Sequence, residues 1–145
     1  MVDVVTSIVI DRPRSVVAEF SADPGNATKW YRNIKSAVLK TSRPLSVGTR
    51  VDFVARFLGR ELVYTYEFKE FEPGTKLAME TSSGPFRMET TYQWEDAADG
   101  ATRMALRNQG YPSGFSTLLG PLMSLAIKRE NRKDLQRLKE ILETD

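Results

Sequence analysis

The 145-residue sequence contains no cysteine and no histidine. Without cysteine there is no disulfide framework, no thiolate nucleophile and no cysteine-ligated metal site. Without histidine the chain lacks the most common general base, and the usual zinc ligands are missing altogether. Hydrolases of the Ser-His-Asp and Cys-His kinds are therefore excluded, and we expect neither a metal nor a cofactor.

The sequence also has little excess of one charge over the other and few long apolar runs. The net charge is +2, too small for a nucleic-acid-binding surface, which needs basic side chains gathered on one face. The longest apolar stretch, Phe115 to Ile127, contains Pro121 and is too short for stable membrane insertion. Met1 leads directly into Val2-Asp3-Val4-Val5 without the basic start of a signal peptide, so we expect a cytoplasmic location.

What remains has the composition of an ordinary folded domain. Hydrophobic residues make up 41% of the chain and charged residues 28%, which argues against disorder. A chain of this length fits one domain, and no repeat or linker divides it. We therefore expect a single domain over residues 1–145.

The strand and turn signals predict an antiparallel sheet. A β-branched strand at Val4–Ile10 is followed by two short helices, one after Pro13 and one after Asp23-Pro24. Further strands are predicted at Ile34–Thr41, Thr49–Leu58, Leu62–Phe71, Lys76–Ser82, Phe86–Trp94 and Thr102–Asn108. Runs of hairpin-linked strands form an antiparallel sheet with one covered face.

The C-terminal segment predicts the element that covers this face. Apolar positions recur there at helical spacing over roughly seven turns. They are Met123, Ile127, Asn131, Leu135, Leu138 and Leu142, with one asparagine among them. We expect an α+β fold in which a curved sheet wraps this long helix.

The inward faces carry more polar groups than a purely structural core needs. Strand alternation places Tyr64, Tyr66, Thr90, Tyr92 and Asn108 inward, where an unpaired hydroxyl or amide costs about 1–3 kcal/mol. These groups either line a ligand cavity or belong to core side chains whose polar atoms reach the rim or a backbone carbonyl. The candidate ligand-binding residues are Trp30, Phe53, Phe57, Tyr64, Tyr66, Met88, Thr90, Tyr92, Leu106, Asn108, Met123, Ile127 and Asn131.

Three surface features have ordinary interpretations. The strand residues Arg56, Arg87, Glu89, Arg103 and Arg107 are expected to form cross-strand charge pairs in water. The mixed-sign run 128–134 is expected to be a solvated helix face, or alternatively a patch for an anionic lipid or an acidic partner. The apolar segment 118–123 is buried at the sheet mouth, forms a mobile entrance or makes a dimer contact, so the chain is a monomer or a homodimer.

The order of elements and several short motifs resemble a known superfamily. These motifs are Ile8-Val9-Ile10 with Pro13, Val16-Val17 and Phe20, Asp23-Pro24 with Trp30, Val47-Gly48, Phe71-Glu72-Pro73, Gly100 with Thr102, and the closing Leu135, Leu138-Lys139 and Leu142-Glu143. Over essentially its whole length the chain resembles the SRPBCC superfamily of START-like and birch-pollen-allergen-like helix-grip proteins. Within it, the chain is most similar to the polyketide cyclase/dehydrase-like group.

The resemblance implies a sheet of about seven strands gripping the C-terminal helix around a hydrophobic cavity. It also implies binding of lipids, sterols, polyketides, quinones or other aromatic molecules. We favour non-catalytic binding or transport of a small hydrophobic ligand, because no residue pattern identifies a catalytic group. The alternatives are a polyketide cyclase/dehydratase-like enzyme using the same cavity and a protein-interaction module.

Overall fold

The computed structural model describes residues 2–57, 59–84, 87–110 and 120–144, with the backbone alone at residues 57 and 120. Strands β1 to β7 span Val2–Ile10, Ile34–Leu39, Arg50–Phe57, Arg60–Glu72, Lys76–Ser83, Met88–Asp96 and Thr102–Gly110. Helices α1, α2 and α3 span Arg14–Ala22, Ala27–Trp30 and Gly120–Thr144, and 3₁₀ turns cover Pro24–Asn26 and Ala98–Gly100. Predictions made for Leu58, Phe86 and residues 111–119 lie outside the described residues.

Within the described residues, the seven strands form one antiparallel sheet in the order β1-β7-β6-β5-β4-β3-β2. Strands β2 to β7 follow one another as neighbours, and β1 pairs with β7, with Val4 opposite Asn108. The sheet curls around α3, which contacts β1 along one edge. The predicted helix-grip fold is confirmed.

The short helices begin where the proline signals predict. Helix α1 starts after Pro13, whose φ of −59° already suits a helix. The next turn starts at Pro24, where Asp23 Oδ1 accepts a hydrogen bond from the Gly25 backbone N–H at 2.8 Å. This cap places Trp30 and Tyr31 between the sheet and α3.

The C-terminal half of α3 and the concave face of the sheet form the main apolar core. Leu135, Leu138 and Leu142 are buried there together with Ile10 and Trp94. Burying a leucine side chain of this kind contributes about 1.5–3 kcal/mol. We call this half of the helix–sheet interface the closed end.

The N-terminal half of α3 packs less completely. Met123 joins Val2 and Val4 of β1 in a separate small cluster, with Ile127 packed beside it. Leu122 lies on the opposite side of the helix and is 61% exposed. The apolar segment predicted at 118–123 is therefore divided: position 123 is buried, position 122 faces solvent, and positions 118 and 119 lie outside the described residues.

Candidate functional site

A cavity of about 180 Å³ lies between the concave face of the sheet and the N-terminal half of α3. Aromatic, methionine and aliphatic side chains form most of its wall, and polar groups from β6, β7 and α3 complete it. An engineered protein cavity of about 150 Å³ lined by apolar side chains binds benzene. The space is therefore on the scale of a single six-membered ring.

Most of the residues that strand alternation and helical spacing predicted to line a cavity do lie on its wall. They are Phe53, Tyr64, Tyr66, Met88, Thr90, Tyr92, Asn108, Met123, Ile127 and Asn131. Alternation succeeded because β3, β4, β6 and β7 keep their own side-chain period across this region. The register shift beside Tyr66, which pairs with Thr81, adds a residue on β5, and the bulge in β4 lies between Phe68 and Glu70. The role of these residues in binding a ligand remains a prediction.

The prediction is corrected at two residues: Trp30 and Leu106 lie in the apolar core and not on the cavity wall. Trp30 is 1% exposed, and its ring packs 4.0 Å from the Tyr31 ring and 5.8 Å from the Tyr92 ring. Alternation along β7 assigns Leu106 to the inward face but does not give its depth in the core, and Trp30 lies on α2, where strand alternation does not apply. The side chain of Phe57 lies outside the described part of the structure.

The sequence interpretation missed Tyr31, Asn33, Glu130 and Asp134, which all line the cavity. The last two correct the interpretation of residues 128–134 as a solvated helix face, because Asp134 is only 3% exposed. Helical spacing carried a signal for it: positions 127, 131 and 134 lie on one face. The mixed charges of residues 128–134 instead suggested a solvent-exposed face.

Two tyrosine hydroxyls meet at the inner end of the cavity. The Tyr31 and Tyr92 hydroxyl oxygens are in hydrogen-bond contact, and either can donate. Removal from water raises the pKa of both hydroxyls well above the ordinary tyrosine value. Both groups are therefore neutral at physiological pH, and one hydroxyl proton is left to donate elsewhere.

A second polar cluster lies on β4, β6 and β7. Thr90 Oγ1 donates to Asn108 Oδ1 at 2.8 Å. The two residues are directly opposite each other in the β6–β7 pair. Burial raises the pKa of Tyr66 to about 12, and a hydrogen bond with Thr90 partly offsets that rise. These groups hold one another in place on the sheet wall.

Asp134 is the most perturbed carboxyl group of the cavity. Its Oδ1 accepts a hydrogen bond from the Arg32 backbone N–H at 3.1 Å, and among the described residues it has no ion-pair partner. Burial raises the pKa of Asp134 to about 6, and the nearby Glu130 carboxylate adds to the rise. The backbone hydrogen bond and the charges of Arg32 and Lys133 act in the opposite direction. A buried aspartate without a cationic partner is uncommon in a core.

Asn131 is one helical turn before Asp134, on the same wall. It is 5% exposed, and its Nδ2 atom has no hydrogen-bond partner among the described residues. Buried amide groups are ordinarily paired, so an unpaired one beside a cavity is a candidate ligand-binding group.

The sequence matches one protein family over residues 1–143, and that family is described as "Polyketide cyclase / dehydrase and lipid transport". The match covers all the strands and helices that form the cavity. The chain belongs to this family. No curated protein matches the sequence.

Solved structures share the fold of this family member at low sequence identity. TTHA0849 from Thermus thermophilus is 20% identical over 95% of this chain and 94% of its own, with a TM-score of 0.82. The Zhui aromatase/cyclase from Streptomyces sp. R1128 is 13% identical over 97% and 93%, with a TM-score of 0.79. Ara h 8.0201 is 13% identical over 99% and 98%, with a TM-score of 0.72. These likenesses establish the fold alone.

The outer surface of this family member carries cross-strand charge pairs at two of the predicted arginines, while Arg87 pairs with Glu89 two residues further along the chain. Arg107 binds Asp3 on the neighbouring strand at 2.7 Å, and Arg103 lies 3.6 Å from Glu95 across the β6–β7 pair. Arg56 differs, since it lines the cavity.

Across the described ranges, no helix is long and apolar enough to cross a membrane, and no cluster of acidic side chains is arranged to hold a metal ion.

Proposed function

We propose that this protein binds and carries a small hydrophobic ligand, preferably an aromatic one, in the cavity between the sheet and α3. The supporting observation is the cavity itself, about 180 Å³ of mostly apolar space where the two layers do not meet. Protein interiors otherwise leave few voids larger than a water molecule. Apolar walls with a few polar groups at one end are the usual form of a small-molecule site.

The arrangement of rings supports an aromatic ligand. The Phe53 and Tyr66 rings meet edge to face at 5.6 Å, and the Tyr64 ring lies 6.0 Å from that of Tyr66. Ring faces and edges of this kind favour further offset or edge contacts with an inserted aromatic group.

A cavity-filling substitution tests the proposal with toluene as the probe. Ala55 lines the cavity on β3, between Ile34 of β2 and Leu62 of β4. Leucine at this position occupies space that a ring would need, so we expect Ala55→Leu to weaken toluene binding about ten-fold or more, measured by NMR titration.

Val63→Leu is the matched control, because Val63 lies on the outer face of β4 and is 57% exposed. The one added carbon atom there should leave toluene binding unchanged. Binding that is insensitive to Ala55→Leu, or equally sensitive to both substitutions, would contradict the cavity as the binding site.

Asp134 and the tyrosine pair favour a second candidate function, a cyclase/dehydratase-like enzyme. A carboxyl group with a pKa raised to about 6 can act as a general base near neutral pH. In such a reaction the carboxylate removes a proton next to a substrate carbonyl, and the resulting enolate attacks a second carbonyl of the same molecule. A hydroxyl of the Tyr31–Tyr92 pair then protonates the new alkoxide. The family description is consistent with this chemistry.

Tyr92→Phe separates the two functions, because it removes one hydroxyl while keeping the ring. An enzyme of this kind should lose kcat with little change in KM, as expected for an interaction made mainly in the transition state. Equal losses in turnover and binding would instead assign Tyr92 to ligand binding.

A further inference from the structure

We infer that Asn131 and Asp134 together bind a hydroxyl group on the ligand, with Asn131 Nδ2 donating to the hydroxyl oxygen and the Asp134 carboxylate accepting the hydroxyl proton. This inference rests on the proposed function, since it assigns the polar end of the same cavity. It specifies the ligand class as a hydroxylated aromatic molecule of about one ring.

The two side chains are neighbours on one helical face. Residues three positions apart on an α-helix have Cβ atoms about 5–6 Å apart. Asn131 and Asp134 both line the cavity, at 5% and 3% exposure. One atom placed beside this face of α3 can therefore reach both.

Each side chain has hydrogen-bonding capacity that the described residues leave unused. Asn131 Nδ2 is a donor without a partner. Asp134 uses Oδ1 to accept the Arg32 backbone N–H, and its Oδ2 has no hydrogen-bond partner among the described residues. Two neighbouring side chains of the cavity wall thus carry an unpaired donor and an unpaired acceptor, and the Asn131 amide has to turn toward the cavity for its donor to reach a ligand.

The combination selects the chemistry of the ligand. A carbonyl oxygen would satisfy Asn131 but would face the lone pairs of the Asp134 carboxylate. An ammonium group would satisfy Asp134 but would leave the Asn131 amide donor unpaired. A hydroxyl group both donates and accepts, so it satisfies both side chains at once.

The ionised form of Asp134 makes the stronger contact, because hydrogen bonds to a carboxylate are roughly twice as strong as neutral ones. The charged and titratable groups around it are Arg32 after α2, Glu130 and Lys133 on α3, and the hydroxyls of Tyr31 and Tyr92. With the Asp134 pKa raised to about 6, the carboxylate is mostly ionised above that pH. The preference for a hydroxyl should therefore weaken as the pH falls below about 6.

Phenol and toluene form a matched probe pair, because they differ by a hydroxyl in place of a methyl group. We expect the wild-type protein to bind phenol about ten-fold more tightly than toluene at about pH 7.5, measured by NMR titration. Asn131→Leu and Asp134→Asn should each reduce this phenol-to-toluene ratio to about two-fold or less. Circular dichroism of each variant checks that it is folded.

Glu140→Gln is the control for loss of a carboxylate, since Glu140 lies on the same helix but is exposed. It should leave the phenol-to-toluene ratio unchanged. The wild-type protein supplies a test without any substitution: between about pH 7.5 and about pH 5, the ratio should fall several-fold.

The possible results of these titrations distinguish failure of this inference from failure of the proposed function on which it rests. Toluene binding without a phenol preference overturns the inference and leaves the proposed function standing. The same conclusion follows if the preference is unchanged in both variants or constant with pH. Failure of both probes to bind at millimolar concentration overturns the proposed function as well.

Discussion

The two halves of α3 are packed against the same sheet with different results. At the closed end, Leu135, Leu138 and Leu142 fill the space against the strands. At the cavity end, Asn131 and Asp134 occupy the corresponding face, and a space of about 180 Å³ remains. The helix continues unbroken from Gly120 to Thr144, so the difference arises from side chains and not from the backbone element.

Paired and unpaired polar groups both occur in the interior: Trp30 Nε1 in the apolar core, like Asn131 Nδ2 on the cavity wall, has no hydrogen-bond partner among the described residues. At the closed end the Ser21 hydroxyl donates to the Val17 carbonyl at 2.6 Å and accepts from Trp94 Nε1 at 3.0 Å. At the cavity end Asn131 Nδ2 has no partner among the described residues. A paired polar group stabilises a dry core, whereas an unpaired one beside a cavity is available to a ligand or to water. The leucines of the closed end fill the core, whereas the other half of the helix leaves the cavity in which we propose that a ligand binds.

The largest expected effect is at the closed end. Leu138→Ala should lower the free energy of unfolding by about 2–5 kcal/mol, because it opens a void where the side chain is 0% exposed. Urea unfolding monitored by circular dichroism measures the loss. Ile127→Ala at the cavity end is the comparison, and we expect a loss of about 1 kcal/mol, since its neighbours already leave space. Equal losses would mean that the two ends do not differ in packing.

Asp134→Asn should stabilise the protein. In the folded state the pKa of Asp134 is raised from 3.8 to about 6, so ionisation is easier in the unfolded chain. The contribution of this group to stability is therefore lost progressively as the pH rises from about 4 to about 6, and the penalty is complete above that range. Its removal should add about 1–3 kcal/mol to the free energy of unfolding at about pH 7.5.

Thermal unfolding of both proteins across this pH range checks the effect. The gain from Asp134→Asn should shrink to about 0.5 kcal/mol near pH 4 and vanish below about pH 3, where the carboxyl group is mostly protonated in both states. Glu140→Gln on the exposed side of the helix provides the reference. A gain that persists unchanged at about pH 4 would rule out ionisation of Asp134 as the cause.

The smallest expected effects come from removing one hydroxyl group at the closed end and one at the cavity end. Ser21→Ala leaves Trp94 Nε1 unpaired in the closed end and should cost about 1–3 kcal/mol. Tyr92→Phe removes the partner of the Tyr31 hydroxyl at the cavity end and should cost about 0.5–1.5 kcal/mol. The second loss is smaller because water in the cavity can replace the missing group. Denaturant midpoints of the two variants would decide the order, and a larger loss for Tyr92→Phe would contradict it.

Strand alternation and helical spacing were enough to predict about half of the cavity wall. Tyr64, Tyr66, Thr90 and Tyr92 alternate with solvent-facing neighbours, and a side-chain period of two assigns them to one face. The prediction also included Leu106, from alternation along β7, and Trp30, from the short helix α2; both lie in the apolar core, because periodicity carries no information about depth. Neighbouring bulky side chains decide depth, and they come from distant parts of the sequence.

By itself, the sequence determined the order of strands and helices, the inward face of each element and the exclusion of histidine- and cysteine-based chemistry. These properties depend on local periodicity, turn residues and composition, which are readable along the chain. Only the tertiary structure decided that Asp134 is buried, that Tyr31 meets Tyr92, and that α3 seals the sheet at one end alone. Those outcomes depend on how side chains from α2, β6 and α3 share one volume, and no single segment contains that information.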